Sequence, residues 1–407
     1  MLLKKTNDKM TLGVVGLGKA GLPLAAIIAE SGVQVIGFDI NEGLVSMLNS
    51  SQNPIPEEPG LGDLIKKVVK SKKFIATSDS SKLKDATAFI VLVPLFIDKD
   101  HNPEFSHMKK AFQTVSQNLK KGDLVVVETT VPVGTMETVV KKELEKGGFK
   151  AGDDFFLAYS PERIMTGYSL SRYKDFPKIV SGINDESTER AFDLYSRFSK
   201  VKKASTLKTA EMVKISEGIY RDVNVALANE LFKACEKYGI NFWEMRDLAN
   251  HEFCNIHEAG NGTGGHCIPV YPWFLIKAQD VPMVSLGRKI NDGMASHFAN
   301  KILSEIKMRR MEDPKVAVLG LTYRSHVNET YYTRSSALID LLQKKKVNVF
   351  GHDFLLTPDE IRQKFKVEYT DDFKSMDIII VLNKNPEYKV MLLPLKEKVI
   401  DTKNILG

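Results

Sequence analysis

The segment Gly260-Asn261-Gly262-Thr263-Gly264-Gly265-His266-Cys267-Ile268-Pro269 concentrates more chemistry than any other stretch of this sequence. Four glycines within six residues expose backbone N–H groups that can wrap an anionic ligand. They also deliver Cys267, whose thiolate is a strong nucleophile towards an aldehyde, and a protonated His266 beside it favours that ionisation. An isolated cysteine more often packs as a small hydrophobe; inside this glycine loop a reactive thiol is the expected role. Zinc is the competing chemistry, because His251, Cys254, His257, His266 and Cys267 lie within seventeen positions. Their spacing fits no usual zinc pattern, so no metal is expected.

A second cluster lies near the start of the chain. Gly16-Leu17-Gly18-Lys19-Ala20-Gly21 follows the apolar run Leu12–Val15 and opens a helical pattern. There Gly16 permits a tight turn, Gly18 lets the backbone approach a pyrophosphate, and Gly21 lets the helix pack on the strand. The unpaired N–H groups of the helix start face the anion. The next run, Val33–Phe38, ends at Asp39, close to the spacing at which an acid takes the ribose hydroxyls. A carboxylate there repels a 2′-phosphate and selects NAD over NADP. Val316–Leu319 with Gly320 begins similarly but lacks the second and third glycines. It is expected to hold a nucleotide or nucleotide-sugar, with Arg324 either a phosphate partner or a plain surface residue. Lys214, one turn before Gly218, either reaches a cleft between domains and stabilises an oxyanion or is simply solvated.

These residues need elements to hold them. Strand-length apolar runs recur at Leu12–Val15, Val33–Phe38, Ala88–Val93, Leu124–Val127, Phe155–Ala158 and Ile179–Val180, with amphipathic segments such as Leu22–Ser31 between the early ones. That alternation predicts a parallel sheet covered on both faces. From Thr206 to Tyr238 there is no proline and one glycine, which predicts a single long helix ended by Gly239. A second helix is expected from about Leu286 to Met308, before Asp313-Pro314 breaks the chain. Strands return at Val316–Leu319, Val347–Phe350, Ile378–Leu382 and Val399–Ile400. The expected fold is α/β: two Rossmann-like doubly wound domains, residues 1–203 and 311–407, joined by a long central helix and helical middle domain, residues 204–310. A helix of about 30 residues spans roughly 45 Å and must cover its apolar stripe. The same helix of a second subunit can supply that cover, so a homodimer is expected.

Composition excludes other classes. With 407 residues, 43% hydrophobic and 27% charged, the chain is not disordered. A net charge of +6, spread without blocks, suits an anionic small substrate but is too weak for nucleic acid. No run approaches the roughly 20 apolar residues of a membrane span, and MLLKKTNDKM is too short and polar for a signal peptide. A soluble cytoplasmic protein with no membrane partner is expected, and three cysteines make no disulfide framework.

Six motifs, taken together, carry a resemblance. GLGKAGLPLA (Gly16–Ala25), ETTVPVGT (Glu128–Thr135), SPER (Ser160–Arg163), TAEMVKISEGIYRDVNVALANEL (Thr209–Leu231), GNGTGGHCIPVYP (Gly260–Pro272) and VIDTKNIL (Val399–Leu406) resemble the UDP-glucose/GDP-mannose dehydrogenase family across nearly the whole chain. The GGHCIP form is similar to the branch acting on UDP-N-acetylhexosamines, UDP-N-acetyl-D-mannosamine in particular. The resemblance implies oxidation of the sugar C6 alcohol with two NAD⁺ in succession: to an aldehyde captured by Cys267 as a thiohemiacetal, then to a thioester that water releases as the uronic acid. By motif position it implies that Lys214 stabilises oxyanions, Thr130 holds a water and Glu162 assists proton transfer. It implies NAD contacts at Gly16, Leu17, Gly18, Lys19, Ala20, Gly21, Asp39, Pro94 and Thr130. The UDP-sugar falls to Arg163, Lys214, Asn261, Gly264, Gly265, His266, Tyr271 and Arg324, and the family's dimers form through the central helix.

Three positions depart from the family pattern. Many relatives place Asn one turn after the helix lysine and Asp four residues after the cysteine, both to order or activate water; here these are Gly218 and Tyr271. Phe253 stands where several relatives send an arginine into the partner's site. The substitute Tyr271 is either a proton relay or a packing residue. Other readings therefore stay open: a UDP-N-acetylglucosamine or UDP-glucose 6-dehydrogenase, a single-step dehydrogenase, or a catalytically impaired nucleotide-sugar-binding regulator.

Overall fold

The structure, a computed structural model, describes residues 10–407 and, of Lys174, the backbone alone. The polar N-terminal stretch MLLKKTNDK, read above as no signal peptide, lies outside the described residues. The chain divides into two compact units between Ser216 and Glu217, inside its longest helix.

In the first unit, short aliphatic runs build an eight-stranded sheet. Its strands are β1 (Thr11–Val15), β2 (Gln34–Phe38), β3 (Phe74–Thr77), β4 (Ala88–Val91), β5 (Leu124–Val127), β6 (Phe156–Tyr159), β7 (Lys178–Gly182) and β8 (Val201–Lys203). They lie in the order β8-β7-β6-β5-β4-β1-β2-β3. From β3 to β6 this is the strand order of a doubly wound dinucleotide-binding sheet. β4 and β5 are buried at every position, as strands covered on both faces must be. The all-parallel expectation needs one correction: β7 runs antiparallel to β6, pairing Ala158 with Gly182 and Tyr159 with Ser181. An apolar run alternates its side chains identically in either direction, so it does not encode which way a strand points. Two edge strands escaped the hydrophobic reading. In β3, Phe74 and Ala76 face inward while Ile75 is 52% exposed; β8 is Val-Lys-Lys, the charged composition that protects a sheet edge.

Helix α1 (Gly21–Glu30) buries eight of its ten residues against this sheet. Helix α2 (Leu207–Tyr238) begins where Thr206 Oγ1 accepts the Thr209 N–H at 3.1 Å and ends at Gly239, whose φ is +67°.

The second unit holds α3 (Tyr271–Ile276), α4 (Pro282–Met308), α5 (Arg334–Lys344) and a wholly parallel sheet. Its strands β9 (Lys315–Leu319), β10 (Asn348–His352), β11 (Glu368–Tyr369), β12 (Ile378–Val381) and β13 (Val399–Asp401) take the order β11-β10-β9-β12-β13. Helix α4 starts ahead of the expected Leu286, at Pro282, because a proline in the first turn gives up no hydrogen bond. Met294, Phe298 and Ile302 of α4 share a core with Phe232 of α2 and Leu338 and Leu342 of α5. Among the described residues no helix is long and apolar enough to cross a membrane, and no three metal-ligating side chains are grouped to hold an ion.

Candidate active site

In the first unit the expected dinucleotide residues all follow the carboxyl ends of parallel strands, where open α/β sheets take their ligands. Gly16 leaves β1 with a φ of +97°, and a Cβ there would stand 2.5 Å from the Leu92 carbonyl oxygen, so the turn requires glycine. Beside it, a Cβ on Gly18 would meet nothing within 4 Å; the backbone faces the open space that a pyrophosphate needs. Ala20 precedes α1, which starts at Gly21 with no side chain capping it, leaving its first N–H groups for an anion. Asp39 is fixed at the end of β2: Oδ2 accepts the Leu17 N–H at 2.9 Å and Oδ1 the Asn41 N–H at 3.0 Å. Leu17 packs inward, Lys19 pairs with Glu57 at 2.9 Å, and Pro94 is exposed on the loop after β4. An acid at β2, an open glycine and an uncapped helix start fit a dinucleotide.

Beyond β5 and β6 lie the residues expected to handle protons. Thr130 is 5% exposed, and its Oγ1 has no hydrogen-bond partner among the described residues, a need that a water or ligand would meet. Glu162 donates its N–H to the Glu128 carbonyl at 2.9 Å, and its carboxylate accepts the Ile164 N–H. That carboxylate lies 4.0 Å from Lys214 Nζ. Lys214 is buried rather than solvated. Arg163 donates to the Pro177 carbonyl at 2.9 Å and lies over the Phe176 ring.

Two acids given no role by the sequence support this region. Glu128 is fully buried between Lys178 Nζ at 2.7 Å and the Tyr195 hydroxyl at 2.5 Å, and burial pushes its carboxyl up. Glu211, one turn before Lys214, accepts the N–H groups of Gly134 at 2.6 Å and Met136 at 2.8 Å. It thereby straps the loop that follows Thr130, and burial pushes its carboxyl up to about 7. On a helix an acid three residues from a lysine looks like any solvated pair, so nothing in the sequence marked it.

In the second unit a buried polar net suspends the glycine loop from α2 and α4. Asp222 accepts from Arg288 at 2.6 Å, Thr263 Oγ1 at 3.1 Å and Asn291 Nδ2 at 2.8 Å. Asn229 accepts the Gly260 N–H at 2.9 Å and donates to Asn291 Oδ1 at 2.9 Å. Gly262 has a φ of +83°, and a Cβ on it would lie 2.3 Å from the Asn291 carbonyl oxygen. Lys403 Nζ donates to the Ala259 carbonyl at 2.8 Å, and burial pulls this amine down to about 8. Within the loop so held, Asn261 is 6% exposed, and neither end of its amide has a partner among the described residues. Gly264 and Gly265 back onto Tyr323, and the Gly265 N–H donates to the Tyr331 carbonyl at 3.0 Å.

Cys267 lies partly buried just before α3, and the Tyr271 hydroxyl donates to its Sγ at 3.3 Å. His266 Nδ1 is 2.6 Å from Glu329 Oε1. The imidazole is 49% exposed, yet it is held well above its ordinary range: burial opposes the charge, but hydrogen bonds to Cys267 and Glu329 and their negative charge outweigh it. Glu329 stands 63 positions along the chain from His266, on another strand's loop, which is why spacing did not reveal it. Arg324 lies on the same loop, its carbonyl accepting Thr322 Oγ1 at 3.0 Å.

Comparison with known proteins finds one family along most of the chain. The UDP-glucose/GDP-mannose dehydrogenase family matches three times: its NAD binding domain at residues 10–199, its central domain at 208–292 and its UDP binding domain at 317–407. A UDP-N-acetyl-D-mannosamine dehydrogenase of Methanococcus vannielii is 35% identical, with 97% of this chain and 92% of the relative aligned. Among solved structures, a UDP-D-ManNAc dehydrogenase from Pyrococcus horikoshii superposes with a TM-score of 0.87 at 30% identity, covering 98% of this chain and 96% of that one. An NDP-N-acetyl-D-galactosaminuronic acid dehydrogenase from Methanosarcina mazei gives 0.84 at 31% identity, covering 100% and 93%.

Proposed function

The chain belongs to the UDP-glucose/GDP-mannose dehydrogenase family, and from that premise we propose that it oxidises UDP-N-acetyl-D-mannosamine at C6 to the uronate. It is an NAD-dependent nucleotide-sugar dehydrogenase with a UDP-binding domain. The sugar is taken from what its relatives are named for; the observation that carries the chemistry is Cys267, met at 3.3 Å by the Tyr271 hydroxyl.

Held at the Gly16–Gly21 turn and by Asp39, NAD would supply the acceptor for a hydride leaving C6. In this reading Thr130 holds a water, Lys214 stabilises negative charge on the C6 oxygen, and Glu162 moves protons to and from that oxygen and the hydrolytic water. Cys267 Sγ bonds to the aldehyde carbon, and the carbonyl oxygen takes a proton to complete the thiohemiacetal. Loss of the hydroxyl proton, and of a second hydride to a second NAD⁺, would make this carbon a thioester; attack by water then forms the acid, breaks the C–S bond and returns the thiol. Arg163, Asn261, Gly264, Gly265, His266, Tyr271 and Arg324 take the nucleotide-sugar.

The division at 203/204 and 310/311 assigns NAD, dimerisation with the thiol, and UDP to successive parts. A second copy covers the exposed Tyr220 (55%) and Leu227 (48%) of α2, making a homodimer through that helix. The proposed setting is the cytoplasm, where free thiols such as Cys235, Cys254 and Cys267 persist. The test is kcat/KM with NAD⁺ across UDP-N-acetyl derivatives of mannosamine, glucosamine and galactosamine, and UDP-glucose. The mannosamine compound should exceed the others by at least about tenfold, a difference of about 1.4 kcal/mol in transition-state binding. A larger value for any other sugar overturns the assignment.

A further inference from the structure

Glu329 has no part in the reaction as described, yet its placement is costly. The carboxylate is 6% exposed, and a buried carboxylate keeps its charge only with a partner. The partner is His266, whose Nδ1 lies 2.6 Å away. The backbone fixes this arrangement: the Glu329 N–H donates to the Val327 carbonyl at 2.8 Å, and the Glu329 carbonyl accepts the Tyr323 N–H at 3.3 Å. His266 in turn hydrogen-bonds Cys267. Among the described residues, the Tyr271 hydroxyl also faces the thiol at 3.3 Å, and Tyr323, which has Arg324 beside it, backs the glycine loop. Glu329 supplies the carboxylate that reaches the imidazole.

We propose that Glu329 is a positioning residue for the nucleophile: it orients the His266 ring and keeps an imidazolium beside Cys267, so that the resting sulfur is a thiolate. The thiol proton passes to His266, and the Nδ1–H donates to the Glu329 carboxylate. No electrons move in this step. The inference rests on the reading of Cys267 as the nucleophile, and it is tested without any sugar.

The experiment is alkylation of the full-length protein by iodoacetamide as a function of pH, with the Cys267 peptide followed by mass spectrometry. In the wild type, alkylation should reach half its maximal rate below the pH of an ordinary thiol. Glu329→Gln should move the profile upward and slow alkylation at pH 7 by roughly tenfold, the loss expected when a thiolate is left one pH unit short of ionised. Glu329→Asp should recover part of that rate, and His266→Gln should behave like Glu329→Gln. A cooperative melt and retained NAD binding establish that each variant is folded; if Glu329→Gln fails to fold, the half-exposed His266 supplies the deciding variant. Profiles of Glu329→Gln or His266→Gln that overlay the wild type overturn the proposal. A protein that alkylates as expected but oxidises no UDP-sugar keeps this inference while refuting the substrate reading.

Discussion

Gly218 lies directly against the ring of Tyr271: a Cβ at position 218 would stand 3.0 Å from Cδ2 and 3.2 Å from Cβ of the tyrosine. The two departures from the family pattern are thus one linked change, in which the helix gives up a side chain and a ring takes the space. That ring puts its hydroxyl 3.3 Å from Cys267 Sγ. Tyr271 therefore packs against the helix and hydrogen-bonds the Cys267 thiol at once.

Tyr271→Phe separates the roles. The ring packing is kept, so the melting temperature should move by no more than about 2 °C, under 1 kcal/mol. The bond to the sulfur is lost; a hydrogen bond to a charged group contributes roughly 1.5–3 kcal/mol, so acid formation should slow by about ten- to a hundredfold. Gly218→Ala does the reverse. It should gain about 1 kcal/mol of helix propensity, lose at least as much to the tyrosine ring, and slow the reaction by shifting that ring. Thermal melts and steady-state rates on both variants check the pair.

Asp222→Ala tests how the glycine loop is held. Arg288 is 3% exposed and Asp222 fully buried. Removing the acid takes one acceptor from Arg288, Thr263 and Asn291, while Arg288 keeps Asp292 at 2.5 Å, so unfolding should be easier by about 1–3 kcal/mol. The urea midpoint reads this directly, and an unchanged midpoint contradicts it.

Glu211 predicts a pH dependence. Its folded carboxyl titrates near 7 against an ordinary 4.5, so between those values the native state holds a proton that the unfolded chain has released. Stability contributed by that proton is complete below pH 4.5 and is lost as pH rises through 7, with a slope of up to about 1.4 kcal/mol per pH unit. Glu211→Gln should flatten this part of the stability profile, measured by denaturant titration at successive pH values. A profile identical to the wild type contradicts the assignment.

What could be read from the sequence was whatever depends on local pattern. Gly16, Gly18, Gly21 and Asp39 announce their site because turn, backbone approach and ribose acid fall at short fixed spacings. The glycines around Cys267 do the same. Helix α2 was legible from its composition to its end at Gly239. The direction of β7 and the edge strands β3 and β8 were not, since pairing depends on partners distant in the chain and an edge strand need not be apolar. The supporting groups were hidden for the same reason. Glu329 and Arg288 acquire meaning only when folding sets them beside His266 and Asp222. Lys214 is an intermediate case: the helix was visible, but its burial 4.0 Å from Glu162 was not.

Whether Cys267 carries the sugar through a thioester is read most directly by the number of NADH formed per UDP-N-acetyl-D-mannosamine consumed. Two NADH and one uronic acid per sugar are expected for the wild type, and no acid from Cys267→Ser. One NADH per sugar, or acid formation that survives the loss of Cys267, would contradict it.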